Sequence, residues 1–83
     1  MPIPRIIVFG ANCGKCKRAE ARLKKVIEEE GVLVEVVKSD DLQEMMKYKI
    51  HYLPSIIIDD VVQFKGIVPS EKEILKALLK FKN

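Results

Sequence analysis

Apolar residues along this chain follow a helical period in some stretches and form unbroken runs in others. Ile6-Ile7-Val8-Phe9 is such a run, the pattern of a strand covered on both faces. Residues 3–9 are therefore expected to form a central strand, with Pro2 and Pro4 keeping its entry extended. Gly10-Ala11-Asn12 reads as the turn that follows, with Asn12 as a helix N-cap. From 13 to 30 the period becomes helical: Cys16, Ala19, Leu23, Val26 and Ile27 share one stripe, and most of the cations lie off it. Gly31 is placed to end that helix as its C′ residue. Glu28, Glu29 and Glu30 oppose the helix dipole, so that end is expected to fray.

Residues 32–37, rich in valine, read as a second strand. Strand, helix and strand in succession make a βαβ unit with parallel strands and a right-handed crossover. Ser39-Asp40-Asp41 caps a shorter helix running to about Tyr48, with Leu42, Met45, Met46 and Tyr48 as its apolar side. Both methionines read as core filler. Ile50 to Ser55 is a connection containing Pro54. Ser55–Ile58 and Val61–Phe64 then read as a hairpin around an Asp59-Asp60 turn, and Gly66 breaks the segment. Ser70 and Glu73 stand at capping-box spacing before a final helix, whose stripe is Ile74, Ala77, Leu78 and Phe81.

Length and charge narrow the classes. Eighty-three residues suit one domain spanning 1–83. Basic residues are interspersed with acids, so the net charge of +3 gives no single-sign tract of the kind that binds nucleic acid. No apolar run approaches the ~20 residues a membrane helix requires, and Met1-Pro2-Ile3-Pro4-Arg5 lacks the features of a signal peptide. The expectation is a cytoplasmic monomer engaging neither nucleic acid nor membrane. In a reducing compartment a cysteine pair points to catalysis or metal binding rather than to a structural staple.

Both cysteines lie in Cys13-Gly14-Lys15-Cys16, at the junction of the first strand and the long helix. Residues three apart on a first helical turn can bring their sulfurs within bonding reach. The unpaired N–H groups and positive dipole end of a helix start favour a thiolate, the reactive form of cysteine. Cys13 is expected to be the exposed sulfur and Cys16 the buried one. Lys15, Lys17 and Arg18 add positive charge beside them. Metal alternatives exist: a zinc site would need two further ligands, and His51 is the one available, while a ferredoxin-like copper chaperone would hold Cu(I) between both thiolates. That fold ends in a strand; this chain ends in a capped helix. His51 otherwise reads as a loop histidine near the sulfurs, and Tyr48 and Tyr52 as core or rim residues.

With Cys-x-x-Cys after the first strand, Leu53-Pro54-Ser55 before the third and Gly66-Ile67-Val68-Pro69-Ser70 before the last helix, the order β-α-β-α-β-β-α resembles the thioredoxin-like superfamily, particularly its small, glutaredoxin-sized redox proteins of archaea and bacteria. The resemblance covers essentially the whole chain. It implies an α/β fold: a four-stranded mixed sheet of order 2-1-3-4, the first and last helices on one face and the second on the other. It also implies a cis Leu53–Pro54 bond and thiol–disulfide exchange in which Cys13 attacks and Cys16 resolves. No metal or cofactor beyond the Cys13–Cys16 disulfide is implied. Gly14, Lys15, Leu53, Pro54 and Gly66 become the expected substrate contacts. Partners would be protein disulfides together with a reductase or small thiol. The sequence departs from the family at Asn12, where many thioredoxins have tryptophan, and at Ile7, where many have a buried acid. Gly66 also lacks the second glycine and the acids with which glutaredoxins hold glutathione.

Overall fold

The computed structural model describes residues 4–10 and 13–80. Seven elements follow in order: β1 (Arg5–Phe9), α1 (Gly14–Glu30), β2 (Glu35–Ser39), α2 (Leu42–Lys47), β3 (Ser55–Ile58), β4 (Val61–Lys65) and α3 (Glu71–Leu79). The strands form one sheet of order β2-β1-β3-β4, with β1 parallel to β2 and antiparallel to β3. The expected α/β class and strand order therefore hold. Ile3, Asn12 and Phe81 lie outside the described residues.

The sheet is covered on both faces, as the unbroken run in β1 required. Ile6, Val8, Ile56 and Ile58 pack against Leu23 and Val26 of α1 and Ile74, Ala77 and Leu78 of α3. Ile7, Phe9 and Ile57 point the other way, with Ile50, Met45 and Tyr48. Burying an aliphatic or aromatic side chain of this size is worth roughly 1.5–3 kcal/mol, so each face contributes a separate part of the core. α2 has six residues and its side of the sheet is the thinner layer.

Several boundaries differ from the sequence expectation. β2 begins at Glu35, not at residue 32, because Arg5 pairs with Glu35 and the Glu35 N–H donates to Pro4 O. Pro4 has no N–H to give a ladder, so Val32–Val34 precede the pairing. α1 runs to Glu30 and closes on Gly31 in the left-handed conformation (φ 63°). The N–H groups of Gly31 and Val32 both donate to Ile27 O. This closure accounts for a terminal turn that the three glutamates alone would disfavour. Leu42 and Met46 are 72% and 76% exposed, against the core role expected of them. One short helix can turn only one narrow stripe inward, and Met45 and Tyr48 occupy it. β4 extends one residue further, to Lys65, and the second helix stops one residue earlier, with Tyr48 as its C-cap. The hairpin turn is Asp59-Asp60, both at positive φ. Tyr48 Oη donates to Asp60 Oδ1 at 2.7 Å, tying α2 to the hairpin.

Glu20 links α1 to β2 by accepting from Lys24 Nζ at 2.8 Å and Lys38 Nζ at 3.0 Å. Hydrogen bonds from Lys24 first and Lys38 second hold its carboxyl below the ordinary glutamate range. A lowered carboxylate contributes stability above its unfolded pKa and loses it as pH falls through the folded one. Partly exposed pairs are worth about 0.2–1 kcal/mol each. Glu20→Gln should therefore lower Tm at pH 7 by a few degrees, with the deficit closing as the solution is acidified below the folded pKa. Thermal melts of both proteins across that range check this; a deficit that persists unchanged in acid would show that the pairs are not its source.

Candidate active site

The end of the sheet at which β1 and β2 stop and β3 begins gathers the residues singled out in the sequence. Register places Phe9 opposite Ser55, so Gly10 and Pro54 are neighbours across the strands. The Gly10 N–H donates to Ser39 O at 3.1 Å, continuing the parallel pairing one residue past β1. α1 starts beside this point.

Cys13 is the N-cap of α1, where Asn12 was expected. Its backbone is extended (φ −112°, ψ 154°), and the Cys16 N–H donates to its sulfur at 3.0 Å. The attacking candidate thus fills the role normally taken by an oxygen cap, and a helix-start donor is aimed at the atom that would carry negative charge. Cys13 and Cys16 are joined by a disulfide, with Cα atoms 5.1 Å apart. Cys13 is exposed, whereas Cys16 is 2% exposed, the asymmetry the sequence predicted.

The proline segment lies on the other side of Gly10 from the buried sulfur. Leu53–Pro54 is cis, and Pro54 is buried while Leu53 is partly exposed. Its position is fixed twice. The Gly66 N–H donates to Pro54 O at 2.8 Å, and Ser55 Oγ donates to Tyr52 O at 2.7 Å. Gly66 has φ 67°, and a Cβ there would lie 2.7 Å from Tyr52 Cβ, so glycine is required for both conformation and space. Gly14 and Lys15 are exposed beside Cys13; nothing lies within 4 Å of where a Cβ on Gly14 would stand. His51 is exposed on the loop.

Two residues outside the expected substrate contacts, Gly10 and Ser55, belong to this site. Gly10 is buried with φ 120°, and a Cβ on it would lie 2.5 Å from Cys16 Sγ and 3.6 Å from Leu53 Cβ. It is the point where strand, sulfur and proline segment meet. A glycine directly after a buried strand was a usable signal of close approach. Ser55 is fully buried and is the buried polar side chain among the described residues. No local pattern announced it, because its acceptor exists only once the turn has formed. Ile7, at 4% exposure, sits in an apolar cluster. No carboxylate is buried among the described residues, and no group of three or more potential metal ligands occurs among them.

A parallel-antiparallel sheet with helices on both faces, ending in a bonded Cys-x-x-Cys pair opposite a cis-proline segment, defines a thioredoxin-like thiol–disulfide oxidoreductase. Comparison with known proteins agrees. The thioredoxin domain family matches residues 4–79, and the chain belongs to that family. It is 37% identical over 73 residues to a thioredoxin of Methanocaldococcus jannaschii, covering 88% of this chain and 84% of that one. It is 26% identical over 74 residues to a thioredoxin of Methanothermobacter thermautotrophicus, covering 89% and 96%. A solved structure titled "Structure of a malarial protein" shares the fold at a TM-score of 0.74 and 19% identity, covering 95% of this chain and 97% of that one. Proteins of this family work through their own disulfide, and the chain is a thiol–disulfide oxidoreductase rather than a metallochaperone.

Proposed function

We propose that Cys13 is the attacking sulfur and Cys16 the resolving one, in the reduction of protein disulfides. The asymmetry between the sulfurs supports this division: Cys13 is exposed and receives the Cys16 N–H, while Cys16 is shielded. In the forward step the Cys13 thiolate attacks one sulfur of a substrate disulfide. A Cys13–substrate bond forms, and the other substrate sulfur leaves as a thiolate that takes up a proton. Cys16, once deprotonated, then attacks Cys13 Sγ. The Cys13–Cys16 bond forms, the mixed disulfide breaks, and the second substrate thiol departs. Two electrons have passed to the substrate. A reductase or two equivalents of a small thiol return them, the thiol being oxidised to its own disulfide.

With no carboxylate buried among the described residues, proton removal from Cys16 falls to solvent or to a departing substrate thiolate. Gly14, Lys15, Leu53, Pro54 and Gly66 form the receiving surface, on which the partly exposed Leu53 and exposed Tyr52 flank the buried proline. The setting proposed is a cytoplasmic monomer. No helix among the described residues is long and apolar enough to cross a membrane. The test is turnover of a disulfide-bridged protein by the reduced chain with a thiol donor, run beside a Cu(I) titration. Catalysed reduction is expected. Tight Cu(I) binding without turnover would overturn the reading.

A further inference from the structure

The charges of this molecule are sorted along its longest helix in the order that helix stability disfavours. The first turn of α1 contains no acid and its last turn no base. Lys15, Lys17 and Arg18 stand at the sulfur end, and Glu28, Glu29 and Glu30 stand about 18 Å away at ~1.5 Å per residue. A macrodipole favours the opposite arrangement at both ends. Asp59 and Asp60 add to the acidic end, because β3 runs away from the disulfide to reach them. Stabilising a thiolate would explain cations at the sulfurs. It does not explain a cluster of acids a helix length away.

The cations are also one-sided. Lys15, Arg18 and Arg22 are spaced three and four apart and so share a face of α1. Arg22 Nη1 donates to Pro69 O at 3.2 Å, which identifies that face as the one toward the Gly66–Pro69 segment. None of these three forms an ion pair among the described residues; the three pairs there use Lys24, Lys25 and Lys38. Among the acids toward this end, Asp40, Asp41 and Glu44 belong to the β2 side, where Asp41 caps α2 and Glu44 accepts from Ser39 Oγ; Glu71 and Glu73, which follow Pro69 in the first turn of α3, are engaged by Lys25 and by the Ser70 capping box.

We propose that the disulfides this protein exchanges with are flanked by acidic residues, and that those residues dock over the cationic lobe beside Gly66–Pro69. The proposal rests on the exchange reading above and specifies its substrate class. Cations at the reacting end and acids at the far end orient an acidic partner with its disulfide toward Cys13, and such steering fades as salt rises.

The experiment measures reduction of three bridged peptides, identical except for aspartate, serine or lysine beside the cysteines. At low ionic strength the aspartate peptide is expected to react about ten-fold faster than the lysine peptide, and the gap should narrow in 0.5 M salt, where the Debye length is roughly 4 Å. Lys15→Glu/Arg18→Glu should invert the order while raising Tm, since acids then occupy the helix start. Equal rates on the charged peptides, or a preference untouched by salt and by charge reversal, would overturn this inference alone. Failure to reduce the serine peptide would overturn the exchange reading and the inference with it.

Discussion

Cys13→Ser is expected to bring disulfide reduction down to the rate of the donor thiol alone, and to capture no partner. Cys16→Ser should also lose multiple turnover, yet accumulate the mixed disulfide through Cys13. The reason lies in how each sulfur is held. Cys13 is exposed at the helix cap with a donor N–H on its sulfur, so a thiolate there is both reachable and stabilised. Cys16 is packed against Gly10 and an external disulfide cannot approach it in line. Incubating each single variant with a bridged peptide and resolving the products by mass under non-reducing conditions decides the matter. Comparable trapping by both variants would show that the sulfurs are interchangeable, and the division of roles would have to be given up.

Much of this arrangement was legible because the strongest signals were local. An unbroken apolar run, a Cys-x-x-Cys at its end, a Gly C′ and a Ser70–Glu73 capping box each report on a few consecutive residues. Each appears in the structure, the capping box with both of its hydrogen bonds. Where the reading failed, a distant partner decided. Val32–Val34 have strand-like composition, but pairing starts only where β1 can accept it, at Pro4 and Arg5. Leu42 and Met46 have core-like composition, but the stripe inward from α2 is filled by Met45 and Tyr48. Asn12 is a good cap by type, yet the cap is Cys13. A sulfur takes the place of the usual cap oxygen, with the Cys16 N–H donating to it.

The two glycines nearest the cysteines show the same limit more sharply, and they carry the largest expected effect on stability. Gly14, inside the motif, was expected to matter, whereas Gly10 read as an ordinary turn residue. The geometry gives the sensitivity to Gly10. Alanine there would be held at φ 120°, with its methyl 2.5 Å from Cys16 Sγ and 3.2 Å from Cys16 Cβ. Unfavourable backbone conformation costs about 1–3 kcal/mol, and overpacking costs about 1–3 kcal/mol more. Gly10→Ala should therefore lower Tm by about 10 °C or more. Gly14→Ala, with open space around its Cβ and a helical backbone, should stay within about 1 kcal/mol of the parent. A double-mutant cycle separates sulfur contact from backbone strain. In a Cys16→Ala background the sulfur is gone, so the Gly10→Ala penalty should shrink by about 1–3 kcal/mol, a coupling in the range seen for residues in contact. Denaturant unfolding of the four proteins, all reduced, measures it. Strict additivity would mean that Gly10 is required for its dihedral angles alone and does not make room for Cys16 Sγ.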